Sequence, residues 1–333
     1  MMATAAELSV SCALAMRALL ALVAGLVCAG AAWAEPVDAG AWLRKVVEAA
    51  RQTTYAGVFV YQHGRQVETS RIAHWVDATG EHEVLETLDG PPLEVVRNND
   101  SVTRYLPDSR QVVMAKRHGR QFPALLPENV AGITENYAIT RGENDRVAGI
   151  DCQTLVLEPK DNLRYGHRFC VEPNSGLLVR ARAYDENNRM VESFAFTQLA
   201  LGSAVGRDLL KSKYAAKSQD WKVDRSALEN ADTTRDSGWV LKNQPPGFRK
   251  IVEMRRSFAN RPAAVSHLVY SDGLAAISVF IEPRPKPVPP LGAVGYQGAL
   301  NIYVSAQAEQ MLTVVGETPA RTVRQVAESL SPR

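Results

Sequence analysis

This chain contains histidine, glutamate and serine residues, but their spacing does not match that of known catalytic motifs. His82-Glu83-x-x-Glu86 departs from the zinc-protease pattern because it lacks the second histidine. It also lies in a strand-like stretch, where that spacing would not bring both side chains to one face. The sequence has no G-x-S-x-G, no phosphate-binding loop and no dinucleotide fingerprint. We therefore predict a binding protein and not an enzyme, with no catalytic residue, no metal and no cofactor.

Apolar side chains form the more informative pattern. Strand alternation places Tyr55, Phe59 and Tyr61 together on one face of their strand, and it places Phe194 and Phe196 together on one face of a later strand. A non-periodic apolar insertion adds four more side chains, namely Phe122, Leu125, Leu126 and Ile133. One interpretation is a curled sheet that binds an apolar ligand beneath this insertion. The other, which the sequence leaves open, is an ordinary hydrophobic core.

The N-terminus has the features of a secretory signal peptide, predicted over residues 1–34. Arg17 precedes a short apolar run, and Ala32-Trp33-Ala34 matches an A-x-A cleavage site. The apolar run is short for a membrane span. The sequence does not decide whether translation starts at Met1 or Met16. We therefore predict an exported protein.

Two cysteines remain after this cleavage, Cys152 and Cys170. Disulfides are the default in oxidising compartments, and the chain has no C-x-x-C to indicate a redox or metal pair. Leu155–Glu158 and Tyr165–Arg168 are predicted to be the arms of a hairpin in which paired positions sum to about 322. This register would place the two cysteines directly opposite each other, and we predict a structural disulfide.

Charge and length set the remaining limits. The 38 basic and 36 acidic residues give a formal net charge of +2 at pH 7, which argues against binding to nucleic acid. The mature chain is long enough for two domains. A first domain is predicted over residues 35–201, a polar linker over 202–236 and a smaller domain over 237–333.

The predicted elements give an α+β fold class. A helix is expected at Gly40–Gln52, followed by nine to eleven short antiparallel strands that must curl. Turn residues separate these strands, as at Pro173-Asn174-Ser175-Gly176. In the second domain Ser271-Asp272-Gly273 predicts a hairpin, and Thr318-Pro319 opens a final helix.

Short motifs along nearly the whole mature chain resemble, in order, those of the MucB/RseB family of periplasmic sigma-E regulators. The motifs of the first half are Tyr55-Ala-Gly-Val-Phe-Val-Tyr61, Arg164-Tyr-Gly-His167, Gly176-Leu-Leu178 and Phe194-Ala-Phe-Thr-Gln-Leu199. Those of the second half are Pro245-Pro-Gly-Phe248, Tyr270-Ser-Asp-Gly-Leu274, Ser278-Val-Phe-Ile-Glu-Pro283 and Thr313-Val-Val-Gly-Glu317. The ordered set is more specific than any single motif.

The resemblance implies an N-terminal half-barrel similar to the lipoprotein carriers LolA and LolB, followed by a partner-binding α+β domain. It implies a periplasmic negative regulator that binds the periplasmic region of a membrane anti-sigma factor of the RseA/MucA type. The regulator would shield that factor from proteolysis and respond to lipid or lipopolysaccharide. A periplasmic lipid or lipoprotein carrier is the alternative. The oligomeric state is left open, a homo-oligomer included.

Overall fold

A computed structural model describes residues 38–116, 126, 130–225, 236–256 and 264–333. The predicted signal peptide, Phe122 and Leu125 lie outside these residues. Ala39–Arg333 form one compact unit. Among the residues described, no helix has the length and apolar character needed to cross a membrane.

The first half of this unit is a large antiparallel sheet. Its eleven strands in chain order are β1 (Tyr55–His63), β2 (Gln66–Asp77), β3 (Gly80–Thr87), β4 (Glu94–Asn98), β5 (Ser101–Leu106), β6 (Gln111–Lys116), β7 (Tyr137–Val147), β8 (Ile150–Pro159), β9 (Gly166–Val171), β10 (Leu178–Tyr184) and β11 (Met190–Leu201). The sheet runs β6-β5-β4-β3-β2-β1-β11-β10-β9-β8-β7, so β1 and β11 join two meanders at its centre. This order is open at both ends, as expected for a curled sheet that does not close into a barrel.

Two helices cover the inner face of this sheet. Helix α1 (Ala39–Gln52) buries Leu43, Val46 and Ala49, and the short helix α2 (Ala131–Asn136) buries Ile133. The apolar residues of α1 recur at helical spacing, which explains why it presents one face to the sheet. The side chains of both helices belong to one core with the inner-face residues of the strands.

The segment after β11 packs back on the outer face of the same sheet. It contains three short 3-10 turns, at Gly202–Ala204, Arg207–Leu210 and Ala215–Lys217. It then adds β12 (Lys222–Asp224), which pairs in parallel with β6 at the sheet edge. Val205 joins Ala56 and Ala73 in a small apolar cluster on this face. Residues 202–225 of the predicted linker therefore follow the first sheet and add a strand to its edge.

A smaller α+β part follows. Its strands are β13 (Trp239–Leu241), β14 (Arg249–Arg256), β15 (Val265–Ser271), β16 (Ala276–Pro283), β17 (Gly292–Gln297), β18 (Leu300–Gln307), β19 (Gln310–Gly316) and β20 (Leu330–Pro332), with helix α3 (Ala320–Ser329) before the last strand. Six of them form a sheet in the order β14-β15-β16-β19-β18-β17, while β13 pairs with β20. Val323, Val326 and Ala327 of α3 pack into a separate core with this sheet. The predicted α+β class, with a curled sheet and a smaller second part, is confirmed.

The hairpin β8–β9 carries the predicted disulfide, but its register differs from the prediction. Cys152 and Cys170 are bonded, with Cα atoms 5.4 Å apart. Thr154, and not Cys152, lies directly opposite Cys170. The predicted register was therefore wrong by two residues, because the sequence around Pro159–Arg164 does not define how long the loop is. The two cysteines are diagonal neighbours on one face of the hairpin, which still brings them within bonding distance.

Candidate functional site

The predicted aromatic residues meet on the inner face of the first sheet. Phe59 on β1 lies opposite Phe196 on β11, and Tyr61 lies opposite Phe194. The ring of Phe59 is centred 5.3 Å from that of Phe194 and 6.1 Å from that of Phe196, both edge to face. Tyr55 contacts Phe196 in the same manner at 6.1 Å. Edge-to-face rings at these distances stabilise each other beyond their burial.

The described residues of the apolar insertion belong to the same hydrophobic core as these rings. Leu126 and Ile133 are buried in one cluster with Phe59, Phe194 and Phe196. Each of these five residues is at most 5% exposed. The prediction that they share a site is thus consistent with their positions, while their role as ligand contacts stays a prediction.

Among the predicted site residues that the structure describes, Tyr61 lies at the margin of this cluster. It is half-buried, and its hydroxyl donates a hydrogen bond to the Glu192 carboxylate. Burial, and then the charge of Glu192, raise the pKa of the Tyr61 hydroxyl, so it remains a donor at physiological pH.

The outer face of the sheet holds an apolar recess that the sequence did not indicate. Its volume is about 470 Å³. Its floor consists of small and apolar side chains of β1, β2, β3 and β11, and the segment after β11 forms one wall with Leu209, Lys211 and Lys213. Ala56, Ala73 and Ala200 lie in its floor, where larger side chains would fill the space. A recess of this size is in the usual range for small-molecule sites.

Charged groups form the rim of this recess. Arg71 donates to the Glu86 carboxylate at 3.0 Å, and Lys213 is bonded to the same carboxylate. Glu94 is 1% exposed and accepts hydrogen bonds from the Ser212 hydroxyl and from the backbone N–H of Lys213. These bonds fix the segment after β11 above an apolar floor, and the result is an amphipathic recess.

A buried ion pair joins the first sheet to the second part. Arg164, just before β9, donates to Asp272 at 2.7 Å, and neither side chain is exposed to solvent. The guanidinium also donates to the backbone oxygen of Pro246 at 2.6 Å and to Asp161 at 2.9 Å. Asp272 accepts in addition from the backbone N–H groups of Leu274 and Ala275, each at 2.8 Å. The charges are therefore paired and hydrogen-bonded, as burial requires.

Aromatic rings enclose this ion pair. The Arg164 guanidinium lies 5.7 Å from the centre of the Tyr137 ring and 5.2 Å from that of Phe248. The Tyr137 hydroxyl donates to Asp272 at 3.3 Å. Burial, together with the charge of Asp272, holds the pKa of Tyr137 well above its ordinary value. Gly132 belongs to the same junction, because a Cβ there would lie 2.8 Å from the backbone oxygen of Asp272.

A buried polar row on β2, β3 and β4 is the described cluster with metal-ligand chemistry. His74, Glu81 and Glu83 have ligand atoms within 4.8 Å of one another. Glu83 is already paired with Arg97, and the Nδ1 of His74 lies 2.8 Å from the backbone oxygen of Thr53. A cation would have to compete with this guanidinium, so the row is better explained as a satisfied ion-pair network.

The second part has an exposed apolar edge. Strand β17 is the last strand of the six-stranded sheet, so its outer backbone groups have no neighbouring strand within that sheet. The side chains of Val294 and Tyr296 are 48% and 83% exposed, and Leu291 just before the strand is 52% exposed. Unprotected apolar edges are where a further strand can add.

The aromatic faces of β1 and β11 were recognised from alternation, whereas the junction and the outer recess were missed. Arg164 and Asp272 stand inside two of the motifs quoted above, yet a sequence does not show that two motifs 108 residues apart touch. The recess is built from alanines, a glycine and a backbone path. Small residues give no signal in an apolar pattern, and only the course of the chain after β11 creates the wall.

The fold and these sites define a strand-rich α+β protein with two large sheets, an apolar interior and a buried charged junction. The chain belongs to the MucB/RseB family. The family's N-terminal domain model matches residues 38–217, and its C-terminal domain model matches residues 233–331. The resemblance found in the ordered motifs is thereby confirmed.

Known relatives extend over nearly the whole chain. The sigma factor AlgU regulatory protein MucB of Pseudomonas aeruginosa is 32% identical over 90% of this chain and 92% of its own. The sigma-E factor regulatory protein RseB of Haemophilus influenzae is 23% identical over 94% of this chain and 97% of its own. A crystal structure of MucB in complex with MucA(peri) is 29% identical, covers 89% of this chain and 99% of that one, and superimposes with a TM-score of 0.70.

Proposed function

We propose that this protein is a periplasmic negative regulator of an envelope-stress sigma factor response. It binds the periplasmic region of a membrane anti-sigma factor and shields that region from proteolysis. Its affinity for the anti-sigma factor falls when the regulator binds a lipid or lipopolysaccharide. Catalysis, a metal and a cofactor have no part in this activity.

The observation that carries the proposal is the likeness to MucB in its complex. Both sheets of this chain take part in that likeness, since it covers 89% of the chain at a TM-score of 0.70. The named relatives are regulatory proteins of sigma factors. A partner that is the periplasmic region of an anti-sigma factor of the RseA/MucA type is therefore the best supported one.

The exposed edge of β17 is the surface that we assign to this partner. An extended segment of the anti-sigma factor would pair with the outer backbone groups of β17, at the edge of the six-stranded sheet, and cover Val294 and Tyr296. Apolar side chains at this exposure gain free energy when a partner removes them from water. This assignment places the partner on the smaller part of the chain, as predicted from the sequence for residues 237–333.

The lipid ligand has two candidate binding sites on the first sheet. One is the inner face, where Phe59 and Phe196 share a buried cluster with Leu126 and Ile133. The other is the outer recess, which is open, apolar at its floor and charged at its rim. Each methylene of an acyl chain moved into such a recess contributes about 0.8 kcal/mol. The outer recess is favoured because it offers space without displacing the core.

A lipid or lipoprotein carrier is the second candidate function, and the same recess favours it. A pull-down from envelope extract with the tagged mature chain separates the two. Recovery of an anti-sigma factor supports the regulator, whereas recovery of mature lipoproteins alone contradicts it.

Adding the protease that cleaves the anti-sigma factor to the recovered complex then tests protection. The half-life of the anti-sigma fragment is expected to rise at least tenfold, and an unchanged half-life contradicts the shielding role.

A further inference from the structure

Three arginines lie side by side on the outer face of β9 and β10. Arg168 on β9 and Arg182 on β10 are directly opposite each other, and Arg180 stands two residues along the same face of β10. The row continues to Val156 on β8 and Ser193 on β11, so its flanking positions hold no carboxylate. Like charges directly opposite on neighbouring strands destabilise a sheet. We therefore infer that the positive charge of this pair serves in binding.

Arg168 and Arg182 form no ion pair with a carboxylate among the described residues, although the charge of Arg182 adds to that of Arg180 in lowering the pKa of Asp145. Arg168 donates to the side-chain oxygen of Asn188 at 3.2 Å and lies 4.5 Å from the centre of the Tyr184 ring, and both partners are uncharged. The Nε–H of Arg182 is buried and has no hydrogen-bond acceptor within the described part of the chain. Over those same residues, neither arginine takes part in an ion pair.

Arg180 differs from the other two because it is held in place. It is paired with Asp145 on β7, and this pairing lowers the pKa of that carboxyl group. The Asp145 carboxylate fixes the Arg180 side chain beside the other two guanidinium groups. The strands beneath are joined by the Cys152–Cys170 disulfide, and Cys170 lines the same recess. The cluster is therefore pre-organised and does not have to be assembled by a ligand.

The three side chains surround a recess of about 460 Å³. Its remaining walls are polar for the most part and include Thr154, Tyr184 and the carboxylate of Glu143. Gly142 contributes by having no side chain, since a Cβ there would lie 3.2 Å from the Thr154 methyl group. The space is open to solvent, and its chemistry is that of a cationic pocket with hydrogen-bond donors.

We propose that Arg168, Arg180 and Arg182 form a binding site for a phosphomonoester group. A guanidinium donates two parallel N–H bonds to a pair of phosphate oxygens, and Arg182 has an N–H group without an acceptor. The two negative charges of a phosphomonoester match the two guanidinium groups that lack a carboxylate partner. A phosphate on a lipid headgroup and free phosphate share this chemistry. The site stands on its own geometry, and its failure or success is independent of the proposed partner.

Two probes distinguish the sources, and both are applied to the mature chain. Inorganic phosphate is titrated at constant ionic strength, because screening alone changes charged interactions. Vesicles of phosphatidylcholine with and without phosphatidic acid are tested by flotation. Binding to phosphate alone assigns the site to free phosphate, and binding only to vesicles with phosphatidic acid assigns it to a headgroup. Binding to both probes supports the shared chemistry, and binding to neither overturns the proposal.

The double variant Arg168→Gln/Arg182→Gln is compared with Arg146→Gln, which changes an exposed arginine outside the recess. The double variant is expected to bind the effective probe at least tenfold more weakly, whereas Arg146→Gln binds as the parent does. Without ligand, the double variant is expected to melt at the same or a higher temperature because the like-charge pair is gone. A purely structural role would instead lower the melting temperature and leave binding of the folded fraction unchanged, and that result would overturn the proposal.

Discussion

Arg164 and Asp272 form an ion pair at 2.7 Å in which both side chains are fully enclosed, one before β9 and the other in the turn between β15 and β16. The pair joins the first sheet to the second part of the molecule. Taking two charges out of water is expensive, so the arrangement depends on further hydrogen bonds. Arg164 donates to Asp161 and to the backbone oxygen of Pro246, and Asp272 accepts from the backbone N–H of Leu274. The junction between the two large sheets thus includes a buried polar contact that is sensitive to the loss of either partner.

The first prediction concerns that sensitivity. Asp272→Asn keeps the side-chain oxygen that caps the turn but removes the charge, so Asp161 becomes the one described carboxylate still paired with Arg164. We expect the free energy of unfolding to fall by about 3–5 kcal/mol, the usual cost of breaking a buried pair. Urea denaturation monitored by tryptophan fluorescence measures this. Asp236→Asn, at an exposed ion pair with Arg333, is the matched control and should cost less than about 1 kcal/mol. Equal losses in both variants would contradict the importance of the junction.

Three of the motifs that resemble those of the family come together at this junction. Arg164-Tyr-Gly-His167, Pro245-Pro-Gly-Phe248 and Tyr270-Ser-Asp-Gly-Leu274 each supply a group to it. The order of these motifs could be read from the sequence, but their contact in the fold could not. Contacts between distant segments depend on the paths of all the strands between them. The local elements were predictable for the opposite reason, since alternation and turn residues act within a few positions.

The hairpin β8–β9 shows the same limit at short range. The two arms and the disulfide between Cys152 and Cys170 were predicted, whereas the register was not. A strand position depends on how many residues the connecting loop takes up, and Asp161 and Arg164 bind each other within that loop. The loop is therefore shaped by the ion pair at the junction, which cannot be read from the turn residues alone.

The second prediction concerns the disulfide. Cys152→Ser/Cys170→Ser removes a link across an 18-residue separation, and the chain-entropy model gives a loss of about 3 kcal/mol. The lower stability should appear as a lower urea midpoint with partner binding unchanged at temperatures where the variant is folded. Thiol labelling of the unreduced, denatured parent is the direct test. Two reactive thiols in the parent would contradict the disulfide.

The third prediction concerns the partner surface on β17. Val294→Asp/Tyr296→Asp places charges on the exposed edge, where they cost little stability but oppose apolar contact. The dissociation constant for a purified periplasmic fragment of the anti-sigma factor is expected to rise at least tenfold. Ile251→Asp is the control, because Ile251 is 61% exposed on β14 at the opposite edge of the same sheet. A larger loss of binding from the control than from the double variant would move the surface to that edge.

The fourth prediction separates the two candidate lipid sites. Ala200→Phe fills the outer recess with a bulky side chain, and Phe196→Leu changes the packing of the inner cluster without introducing a polar group. If the recess holds the acyl chain, Ala200→Phe weakens binding of a fluorescent fatty acid at least tenfold, and Phe196→Leu lowers stability by about 1–2 kcal/mol with binding intact. The reverse pattern would assign the lipid to the inner face.

The last prediction concerns the acid sensitivity of the first sheet. His167 on β9 lies against the rings of Tyr137 and Phe169, at 6.1 and 5.7 Å between centres, and its cross-strand neighbours are Leu157 and Ala183. Burial in these apolar surroundings lowers the pKa of His167 to about 4. The unfolded chain, with an ordinary histidine pKa of 6.5, therefore binds more protons than the folded one between these values.

The stability that depends on neutral His167 is complete above pH 6.5 and is lost as the pH falls toward 4. From pH 7.5 to 5, we expect the free energy of unfolding to fall on the order of 1–2 kcal/mol. The lowered pKa of Glu253, about 2, contributes its loss mainly below the ordinary value of 4.5, so that carboxyl group changes little in this window. His167→Asn should be less stable than the parent at pH 7.5 but should lose less between pH 7.5 and 5. Urea midpoints at the two pH values measure the difference, and parallel losses in parent and variant would show that another group titrates.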